Sequence, residues 1–493
     1  MSRTPQQEAF IEALAGSTSN ITLEAVAGSG KTFTLVEGAT ETKAVGMALA
    51  FNKRNQEDLA KRMPPTIECK TMNALGHQAW QRQLGGRPNL DGNKIRGIIS
   101  RMWSFQERMR TPGLDRFVDL LRLHEVVPNG APFQGRAFRD SDSYFTDLVD
   151  NYDIDLEDGV DSEMFFGRAR QVLMESIQMA WKKEIDFVDQ LYMPVVYNAP
   201  FTPQPLVMVD EVQDLSPLQH KMVQRVGRNR VLAAGDPRQS IYGFAGAMSD
   251  SMEHFRKTFQ AETLPLTWCF RCPQEVVRVA QKYNPVIESA PSAPHGKVSY
   301  MENLNHVEMG DVVLSYRNSA LLEAAFNLIA RGIGAQLVGS GDLGTQLVKL
   351  AKRFEFPRDR FLRGLKDWTD DQVRDLLAAE KRNQADRLRD KSACLQIILL
   401  SSNSKDQADL EESIKKIFAL DGTRAPVLCS TIHKAKGLEW RRVHAYKFED
   451  NFRGLQFLSP DAAQQRMNMS YVEVTRAQEE LFFVSPKKES DDD

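Results

Sequence analysis

Short apolar runs alternate with helical periods along most of this chain. Residues 4–15 carry apolar side chains three and four positions apart, which predicts an amphipathic helix. Residues 21–25 predict a short buried strand, and residues 206–209 are a continuous apolar run typical of a central strand in a parallel sheet. Residues 311–339 predict a strand, a helix and a second strand in succession. This alternation predicts an α/β fold in which helices flank parallel sheets.

The composition is that of a globular chain, not of a disordered, fibrous or disulfide-rich one. The 493 residues include 26 Phe, and the counts of 30 Gly and 22 Pro are near average usage. The 5 Cys are too few, and odd in number, for a disulfide scaffold. The length predicts roughly two to four domains. The net charge of −3, from 63 basic and 66 acidic residues, is compatible with a local basic groove for nucleic acid.

The N-terminus and the cysteines predict an intracellular protein. No apolar run follows the first basic residue, and no stretch of about 18 apolar residues occurs, so neither a secretory signal nor a transmembrane helix is expected. Cys269 and Cys272 form a C-x-x-C pair, but a second pair at metal-ligand spacing is missing. We therefore expect free thiols, a cytoplasmic location and no membrane partner.

A glycine-rich segment follows the first predicted strand. Residues 25–32 read AVAGSGKT, a strand end, a glycine turn and a helix start, as in a phosphate-binding P-loop. Lys31 would reach the β and γ phosphates and Thr32 would bind Mg²⁺. Ala25 replaces the first glycine of the strict motif, and the alternative is a plain glycine turn before a helix. We assign nucleotide binding to Ala27, Gly28, Ser29, Gly30, Lys31, Thr32 and Phe33.

A second predicted strand ends in two carboxylates. Residues 206–216 read LVMVDEVQDLS, so Asp210 and Glu211 lie where an open α/β sheet binds ligands. Asp210 can hold Mg²⁺, and Glu211 can orient and deprotonate an attacking water, which favours hydrolysis. The alternative is a solvated acidic turn. The long separation between Lys31 and Asp210 predicts a subdomain inserted between them.

A third polar segment follows another apolar strand, in VLAAGDPRQSIYGFAGA at residues 231–247. Gln239 could sense the γ-phosphate. Tyr242 and Phe244 lie two residues apart and would share a face in an extended segment, where each could stack on a base for ~1–3 kcal/mol. Core packing is the favoured alternative for these two aromatic residues taken alone.

Together these motifs resemble those of the UvrD/Rep-like branch of superfamily 1 DNA helicases. DEVQD is similar to that family's DE-x-Q-D box, and GDPRQSIYGFAGA to its third motif. Six further matches run in chain order along nearly the whole sequence: Gln7 in TPQQ, AFNK at 50–53, ECKTMNAL at 68–75, LTWCFRCP at 266–273, STIHKAKGLEW at 430–440 and YVEVTRA at 471–477. AFNK and ECKT are similar to the F-box DNA helicase subgroup in particular.

The resemblance implies a role for each matching residue. Gln7 matches a residue that reads adenine, Phe270 one that stacks on adenine, and Glu439 a ribose contact. Arg271 and Arg476 match arginines that reach the γ-phosphate from the second motor domain. The implied ATP site also includes Gly437. The implied catalytic set is Lys31, Asp210, Glu211, Gln239, Arg271 and Arg476. DNA binding is implied for Phe51, Asn52, Lys53, Thr71, Tyr242, Phe244, Thr431 and His433.

Single matches also have simpler explanations. Gln7 could complete a capping box with Thr4, Arg271 could be a surface residue, and Arg476 could form a helix salt bridge. The chain departs from the family pattern at Met72 and Asn73, which replace Phe-His, at Ala245, which replaces Arg, and at Cys269, which replaces Asn.

The motifs predict two RecA-like P-loop motor domains, each with a mainly helical inserted subdomain. The predicted bounds are 1–80 with 186–262 for the first motor domain, 81–185 for its insertion, 263–340 with 424–493 for the second motor domain, and 341–423 for its insertion. Eight arginines occur between Arg82 and Arg122, with Trp103 and Phe105 among them. They form either a basic face that follows the DNA backbone or a solvated surface. The second insertion is short for the family.

The resulting prediction is an ATP- and Mg²⁺-dependent DNA helicase that moves along single-stranded DNA and unwinds duplexes. The resemblance implies 3′→5′ movement, binding at single-strand/duplex junctions, a monomer, and ATP held between the motor domains; protein partners stay unknown. One alternative is a translocase that displaces bound proteins with little unwinding. Another is a nucleotide-gated DNA clamp that hardly hydrolyses, which Ala25 and Ala245 favour and the intact Glu211, Gln239 and arginines oppose.

Overall fold

The chain folds into two compact α/β units. The computed structural model describes residues 3–111, 113–132, 137–152, 161–241, 248, 250–338, 343–378, 382–402, 404–418 and 427–486. One unit comprises residues 1–26 and 30–266, and the other residues 27–29 and 267–493. Parallel sheets flanked by helices occur in both units, which confirms the predicted fold class. The finer division into motor domains and insertions stays a prediction.

The first unit is built on a parallel sheet. Its strands are β1 Ile21–Ala25, β2 Gly46–Ala50, β3 Ile67–Thr71, β4 Asn89–Leu90, β5 Glu184–Ile185, β6 Leu206–Asp210, β7 Arg230–Gly235 and β8 Glu262–Leu266. The main sheet has the order β3-β2-β6-β7-β1-β8, and β4 pairs with β5 alone among the described strands. Because these strands are parallel, the carboxyl ends of β1, β6 and β7 lie at the same sheet edge.

Helices pack on both faces of this sheet and form the segment between β4 and β5. They are α1 Pro5–Gly16, α2 Lys31–Glu41, α3 Lys53–Arg62, α4 Met72–Gln83, α5 Lys94–Met102, α6 Phe105–Met109, α7 Leu114–Leu123, α8 Asp142–Tyr152, α9 Ser162–Trp181, α10 Asp189–Val196, α11 Pro217–Val226 and α12 Ser251–Phe259. The predicted N-terminal helix is α1, which Thr4 and Gln7 start with a complete capping box.

The buried side of α7 contains an arginine that sequence reasoning placed on the surface. Arg122 is fully buried, and its Nη1 lies 2.7 Å from Asp186 Oδ1 and 2.8 Å from Asp189 Oδ1. Lys94 is also buried and pairs with the other oxygen of Asp189 at 2.5 Å. Arg122 therefore neither follows DNA nor contacts solvent, because two buried carboxylates hold it inside the unit.

The second unit repeats the plan with a different strand order. Its strands are β9 Trp268–Cys269, β10 Glu288–Ser289, β11 Lys297–Met301, β12 Val312–Ser315, β13 Ala335–Val338, β14 Val427–Thr431, β15 Trp440–Tyr446 and β16 Ala477–Val484. The main parallel sheet has the order β11-β16-β15-β12-β14-β13. The helices are α13 Gln274–Ala280, α14 Asn318–Ala330, α15 Leu343–Ala351, α16 Arg358–Ala378, α17 Arg382–Ser401, α18 Gln407–Phe418, α19 Ile432–Ala435 and α20 Pro460–Val474.

Two local predictions in the second unit are confirmed. Residues 311–339 contain β12, α14 and β13 in the predicted order. The helical spacing of Leu410, Ile414 and Ile417 corresponds to α18, where Leu410 and Ile414 are fully buried against α15 and α17. Among the described residues, no helix is long and apolar enough to cross a membrane.

Candidate functional site

The glycine-rich segment that the sequence predicts to bind phosphate begins where β1 ends. Gly30 adopts φ +82° directly before α2, and Gly28 adopts φ +68°, both in the left-handed region that glycine tolerates best. Lys31, Thr32 and a half-buried Phe33 form the first turn of α2. The free N–H groups of this turn give α2 a positive end, which suits an anion such as phosphate.

The Gln7 side chain lies beside this segment. Its Oε1 accepts a hydrogen bond from Thr4 N–H at 3.0 Å, so the capping-box explanation of Gln7 holds. Its Nε2 lies 3.4 Å from the position that a Cβ would occupy at Gly30. The cap thus uses the oxygen of the amide, and the amide nitrogen stays next to the glycine turn.

Two pairs of side chains connect α2 to the end of β6. Thr32 Oγ1 donates to Asp210 Oδ2 at 3.2 Å, and Lys31 Nζ lies 3.1 Å from Glu211 Oε2. Burial and the adjacent Glu211 raise the pKa of Asp210 to about 6. Although burial opposes it, the charges of Glu211, Asp210 and Asp236 raise the pKa of Lys31. The structure therefore brings four predicted residues together in a largely buried cluster of charged and polar side chains.

An amide that sequence reasoning did not single out joins the ends of β6 and β7. Gln213 is 1% exposed, and its Nε2 donates to Glu211 Oε2 at 2.5 Å. Its Oε1 accepts from Asp236 N–H at 3.1 Å, and Gln239 Nε2 donates to Asp236 Oδ2 at 2.7 Å. A continuous hydrogen-bonded path therefore runs from Glu211 to Gln239. The available signal was an amide between acidic residues, because an amide can donate through its nitrogen and accept through its oxygen.

The segments that resemble DNA-binding motifs follow two neighbouring strands. Ala50 at the end of β2 pairs with Thr71 at the end of β3. Asn52 Oδ1 caps α3 by accepting from Asn55 N–H, and Thr71 Oγ1 caps α4 by accepting from Ala74 N–H. The half-buried Phe51 and the exposed Lys53 flank Asn52. These four candidates share one sheet edge, and two of them also have a structural role as caps.

The departures at Met72 and Asn73 have a structural explanation. Met72 is 1% exposed and belongs to the core. Asn73 Nδ2 donates to Phe187 O at 2.7 Å and to Gln190 Oε1 at 3.1 Å. Phe187, whose backbone carbonyl accepts this hydrogen bond, is 58% exposed. Phe187 was missed by sequence reasoning, although an aromatic residue between acids in EIDFVDQL is a usable signal.

The candidates of the second unit gather around the ends of β9, α20 and β14. Arg271 Nε lies 2.5 Å from Glu439 Oε2, and Arg271 Nη1 donates to Thr475 O at 3.4 Å. Arg476 is 1% exposed, and its guanidinium donates to Val472 O and Leu438 O. Phe270, next to Arg271, exposes 43% of its surface. Arg271 is therefore ion-paired and partly buried, with 19% of its side chain exposed.

Residues 27–29 group with this second unit. Ala27 N–H donates to Tyr471 Oη at 3.0 Å, and Gly28 O accepts from Phe270 N–H at 2.9 Å. Ser29 is 2% exposed. The candidate nucleotide residues thus include backbone groups held by the segments that carry Phe270 and Tyr471.

The remaining candidates of the second unit lie on the segment after β14. Thr431 precedes α19, and Gly437 follows it with φ +80°. Burial, and then Arg387 and Lys436, lower the pKa of His433 to about 4, so its ring is neutral near pH 7. Tyr242, Phe244 and Ala245 lie outside the described residues.

The two neighbouring cysteines of the second unit remain thiols. Cys269 and Cys272 are free and buried, and Cys272 N–H donates to Cys269 Sγ at 3.3 Å. Over the part of the chain that the structure describes, no group of three or more His, Cys, Asp or Glu side chains is arranged to hold a metal ion.

Known protein families match both ends of the chain. The family described as "AAA domain" matches residues 6–245, and the family described as "UvrD-like helicase C-terminal domain" matches residues 367–488. The chain belongs to the UvrD/Rep-like superfamily 1 helicases. This confirms the resemblance drawn from the motifs.

Several curated proteins of this helicase family resemble the chain. F-box DNA helicase protein 1 of Schizosaccharomyces pombe is 24% identical over 527 residues, covering 97% of this chain and 57% of that protein. DNA helicase II of Haemophilus influenzae is 33% identical over 78 residues, covering 15% of this chain and 11% of that protein. The chain therefore spans just over half the length of the first of these relatives. A solved Arterivirus helicase, nonstructural protein 10, covers 97% of this chain and 62% of its own at 13% identity, but its TM-score of 0.37 is too low to inform function.

Proposed function

We propose that this chain is an ATP-driven motor that moves 3′→5′ along single-stranded DNA and couples ATP hydrolysis to duplex unwinding. The observation that carries the proposal is the contact of Lys31 and Thr32 with Glu211 and Asp210 at one sheet edge. The similarity to F-box DNA helicase protein 1 and DNA helicase II supports the same activity. The 3′→5′ direction rests on the family resemblance.

Nucleotide binding would rearrange the Lys31–Glu211 pair. An ATP γ-phosphate placed at the start of α2 competes with Glu211 for the Lys31 ammonium, because both are anions within reach of it. Glu211 Oε2, which bonds both Lys31 and Gln213, would lose the Lys31 cation and keep the Gln213 hydrogen bond, so the carboxylate would become a stronger base towards water. Gln239, at the end of the same hydrogen-bonded path, is placed to respond to loss of the γ-phosphate.

The residues next to the phosphate segment fit a magnesium ion. Thr32 and Asp210 offer a hydroxyl and a carboxylate 3.2 Å apart, and Mg²⁺ prefers such hard oxygen ligands. Burial and the neighbouring Glu211 raise the pKa of Asp210, and a divalent cation bound there would oppose both effects. Mg²⁺ bound there would polarise the phosphates of ATP.

Arg271 and Arg476 are proposed to stabilise the charge that develops on the γ-phosphate, as the family resemblance implies. Arg271 would exchange its bond with Glu439 for a phosphate oxygen, and Glu439 would then be free to accept from the ribose. Phe270 has enough exposed ring to stack on adenine, which the Gln7 amide would read. These roles follow the family resemblance; Phe270 is 43% exposed, whereas Arg476 and Gln7 are buried at 1% and 4% exposed.

Single-stranded DNA is the proposed track. Phe51, Asn52, Lys53 and Thr71 share one sheet edge, and the exposed Phe187 ring adds a stacking surface in the same unit. Tyr242 and Phe244 are proposed as further base contacts. In the second unit, Thr431 and His433 are proposed to contact the strand, with the neutral His433 ring acting by hydrogen bonding and not by charge. Junctions of single and double strands would be the substrates for unwinding.

The deciding experiment measures ATP hydrolysis with and without an oligo-dT strand. We expect strong stimulation of the wild-type chain by DNA and its loss in Lys31→Ala, while the exposed Lys61→Ala serves as a matched control. Normal turnover in Lys31→Ala would contradict the proposal, and a wild-type chain that binds ATP and DNA but does not hydrolyse would favour the clamp. Forked duplexes with either a 3′ or a 5′ tail then test direction. Displacement of streptavidin from biotinylated DNA without unwinding would favour the protein-displacing translocase.

A further inference from the structure

The C-x-x-C pair of the second unit consists of two thiols in contact. Cys269 ends β9, and Cys272 directly precedes Pro273, after which α13 begins. Cys272 N–H donates to Cys269 Sγ at 3.3 Å, and the Cys272 thiol donates a second hydrogen bond to the same sulfur. The two residues are buried, at 0% and 1% exposed. The turn therefore holds two sulfur atoms side by side, as an intramolecular disulfide requires.

The two sulfur atoms differ in their tendency to ionise. The hydrogen bond from the Cys272 thiol, helped by backbone N–H groups, lowers the pKa of Cys269 to about 7 although burial opposes it. The same contact, and then burial, raise the pKa of Cys272 well above its ordinary value. Cys269 therefore supplies the nucleophilic thiolate near neutral pH, while Cys272 keeps its proton. Burial raises the pKa of the thiols of Cys394 and Cys429, so these two stay protonated.

The glycine turn after β1 lies against the Cys269 thiol. A Cβ at Gly28 would lie 3.1 Å from Cys269 Sγ, and Gly28 itself is partly exposed to solvent. On this side the thiol is thus covered by a residue without a side chain, and a small shift of the turn would open a path to it. Hydrogen peroxide is small and uncharged, so it fits such a path better than a bulky oxidant does.

We propose that Cys269 and Cys272 form a modification site at which a peroxide converts the two thiols into a reversible disulfide. The Cys269 thiolate attacks a peroxide oxygen, so an S–O bond forms, the O–O bond breaks, and the hydroxide released takes up the proton that Cys269 lost. The Cys272 sulfur then attacks Cys269 Sγ, the S–O bond breaks, and the Cys272 proton leaves with the hydroxyl group as water. The cysteines lose two electrons, and the peroxide gains them to become two water molecules. A dithiol reductant reverses the reaction by exchange.

The disulfide would restrain the two residues between the cysteines, Phe270 and Arg271. Arg271 Nη1 and Cys272 Sγ both donate to Thr475 O, at 3.4 Å and 3.6 Å. Oxidation removes the Cys272 proton, so of these two donors only Arg271 remains on Thr475 O. An Arg271 side chain held there is less free to reach a phosphate, and oxidation should therefore slow ATP hydrolysis. This consequence, unlike the disulfide itself, rests on the proposed function.

The first test maps the thiols of the full chain after treatment with hydrogen peroxide. The chain is denatured, its free thiols are alkylated, and cleavage after glutamates leaves both cysteines in one peptide, residues 263–275. Mass spectrometry should show that this peptide has lost two hydrogen atoms and carries no alkyl group, while Cys394 and Cys429 are still alkylated. Dithiothreitol should restore alkylation of Cys269 and Cys272.

A matched variant and two outcomes make the mapping decisive. Cys69→Ser removes the most exposed of the five cysteines and should leave the result unchanged. Alkylation of both Cys269 and Cys272 after peroxide treatment, or a disulfide from either of them to another cysteine, would overturn the proposal. The mapping uses the wild-type chain, so it does not depend on whether a variant folds.

The second test measures ATP hydrolysis with oligo-dT before oxidation, after it, and after reduction. We expect the wild-type rate to fall about tenfold on oxidation and to return on reduction, whereas Cys269→Ser, which lacks the nucleophile, should change by less than about twofold. An equal loss in Cys269→Ser, or full activity of a chain with the mapped disulfide, would overturn the effect on Arg271. A reduced wild-type chain without ATPase activity would contradict the proposed function, while the thiol mapping would still decide whether the disulfide forms.

Discussion

Replacing Glu473 by glutamine is expected to stabilise the second unit near neutral pH and to matter little at pH 5. Glu473 lies in α20 with no exposed surface, and Asn451 Nδ2 donates to its Oε2 at 2.8 Å. Within the described part of the chain, Glu473 Oε1 and Asn451 Oδ1 have no hydrogen-bond partner. Burial, with a smaller contribution from Glu449, raises the pKa of Glu473 to about 8 against the effect of the Asn451 bond. The buried acid is therefore protonated at pH 7.

The magnitude follows from the protons bound in each state. The carboxyl has a pKa of 4.5 in its unperturbed state and about 8 in the folded chain. Between these values the folded state binds more protons than the unfolded state, so the free energy of unfolding falls as pH rises. At about 1.4 kcal/mol per pKa unit, the fall between pH 5 and pH 7 is about 2.5 kcal/mol, and it ends above pH 8. Glutamine has no such proton, so the variant lacks this dependence.

Thermal unfolding of the full chain at pH 5 and pH 7 measures the effect. For a unit of this size, 1 kcal/mol moves the Tm by about 2–4 °C, so the gain in Glu473→Gln should be about 5–10 °C larger at pH 7 than at pH 5. Glu412→Gln, at an exposed position paired with Lys416, is the matched control and should gain little at either pH. A difference between Glu473→Gln and wild type that stays constant from pH 5 to pH 7 would refute the reasoning.

Three further changes test other parts of the structure. Gln213→Ala removes the donor to Glu211, and steady-state kinetics should show kcat for ATP hydrolysis about tenfold lower with a smaller change in KM, whereas a raised KM with unchanged kcat would point to a binding role. Arg122→Ala leaves buried carboxylates without their main counter-charge and should lower the free energy of unfolding by about 3–5 kcal/mol in urea titrations, against a small effect of the exposed Arg96→Ala. Phe187→Ala should weaken binding of labelled oligo-dT by about 1–3 kcal/mol in fluorescence anisotropy, and unchanged affinity would exclude the ring from the DNA surface.

The predictable parts of the structure are those that short stretches of sequence specify. The apolar runs that became β1, β6 and β12 are continuous because both faces of a parallel sheet are covered. The glycine turn before Lys31 and the carboxylates after β6 are local, since strand, turn and helix start lie within ten or so residues. The fold class and the helicase family were therefore both readable from the sequence.

Long-range partners were not predictable in the same way. Gln213 lies in DEVQD and Asp236 in GDPRQ, yet only the neighbouring ends of β6 and β7 show that these two residues form a hydrogen bond. Asn73 looked like a weakened DNA contact, whereas its amide anchors Phe187, more than a hundred residues away. Arg122 read as one of several basic surface residues, because a helical period reports which face is apolar and not which charge finds a buried partner.

The sequence by itself determined that this chain is an α/β protein of the UvrD/Rep-like helicase family with a glycine turn after β1 and a carboxylate pair after β6. Backbone geometry at a glycine turn and at a strand end needs only neighbouring residues, so local sequence suffices for it. Only the tertiary structure decided which polar groups became buried and with whom they pair, as for Arg122 with Asp186 and Ser251 with Val212. Those pairings depend on strand order and helix packing, since a buried charge or hydroxyl is stable only where the fold supplies its partner.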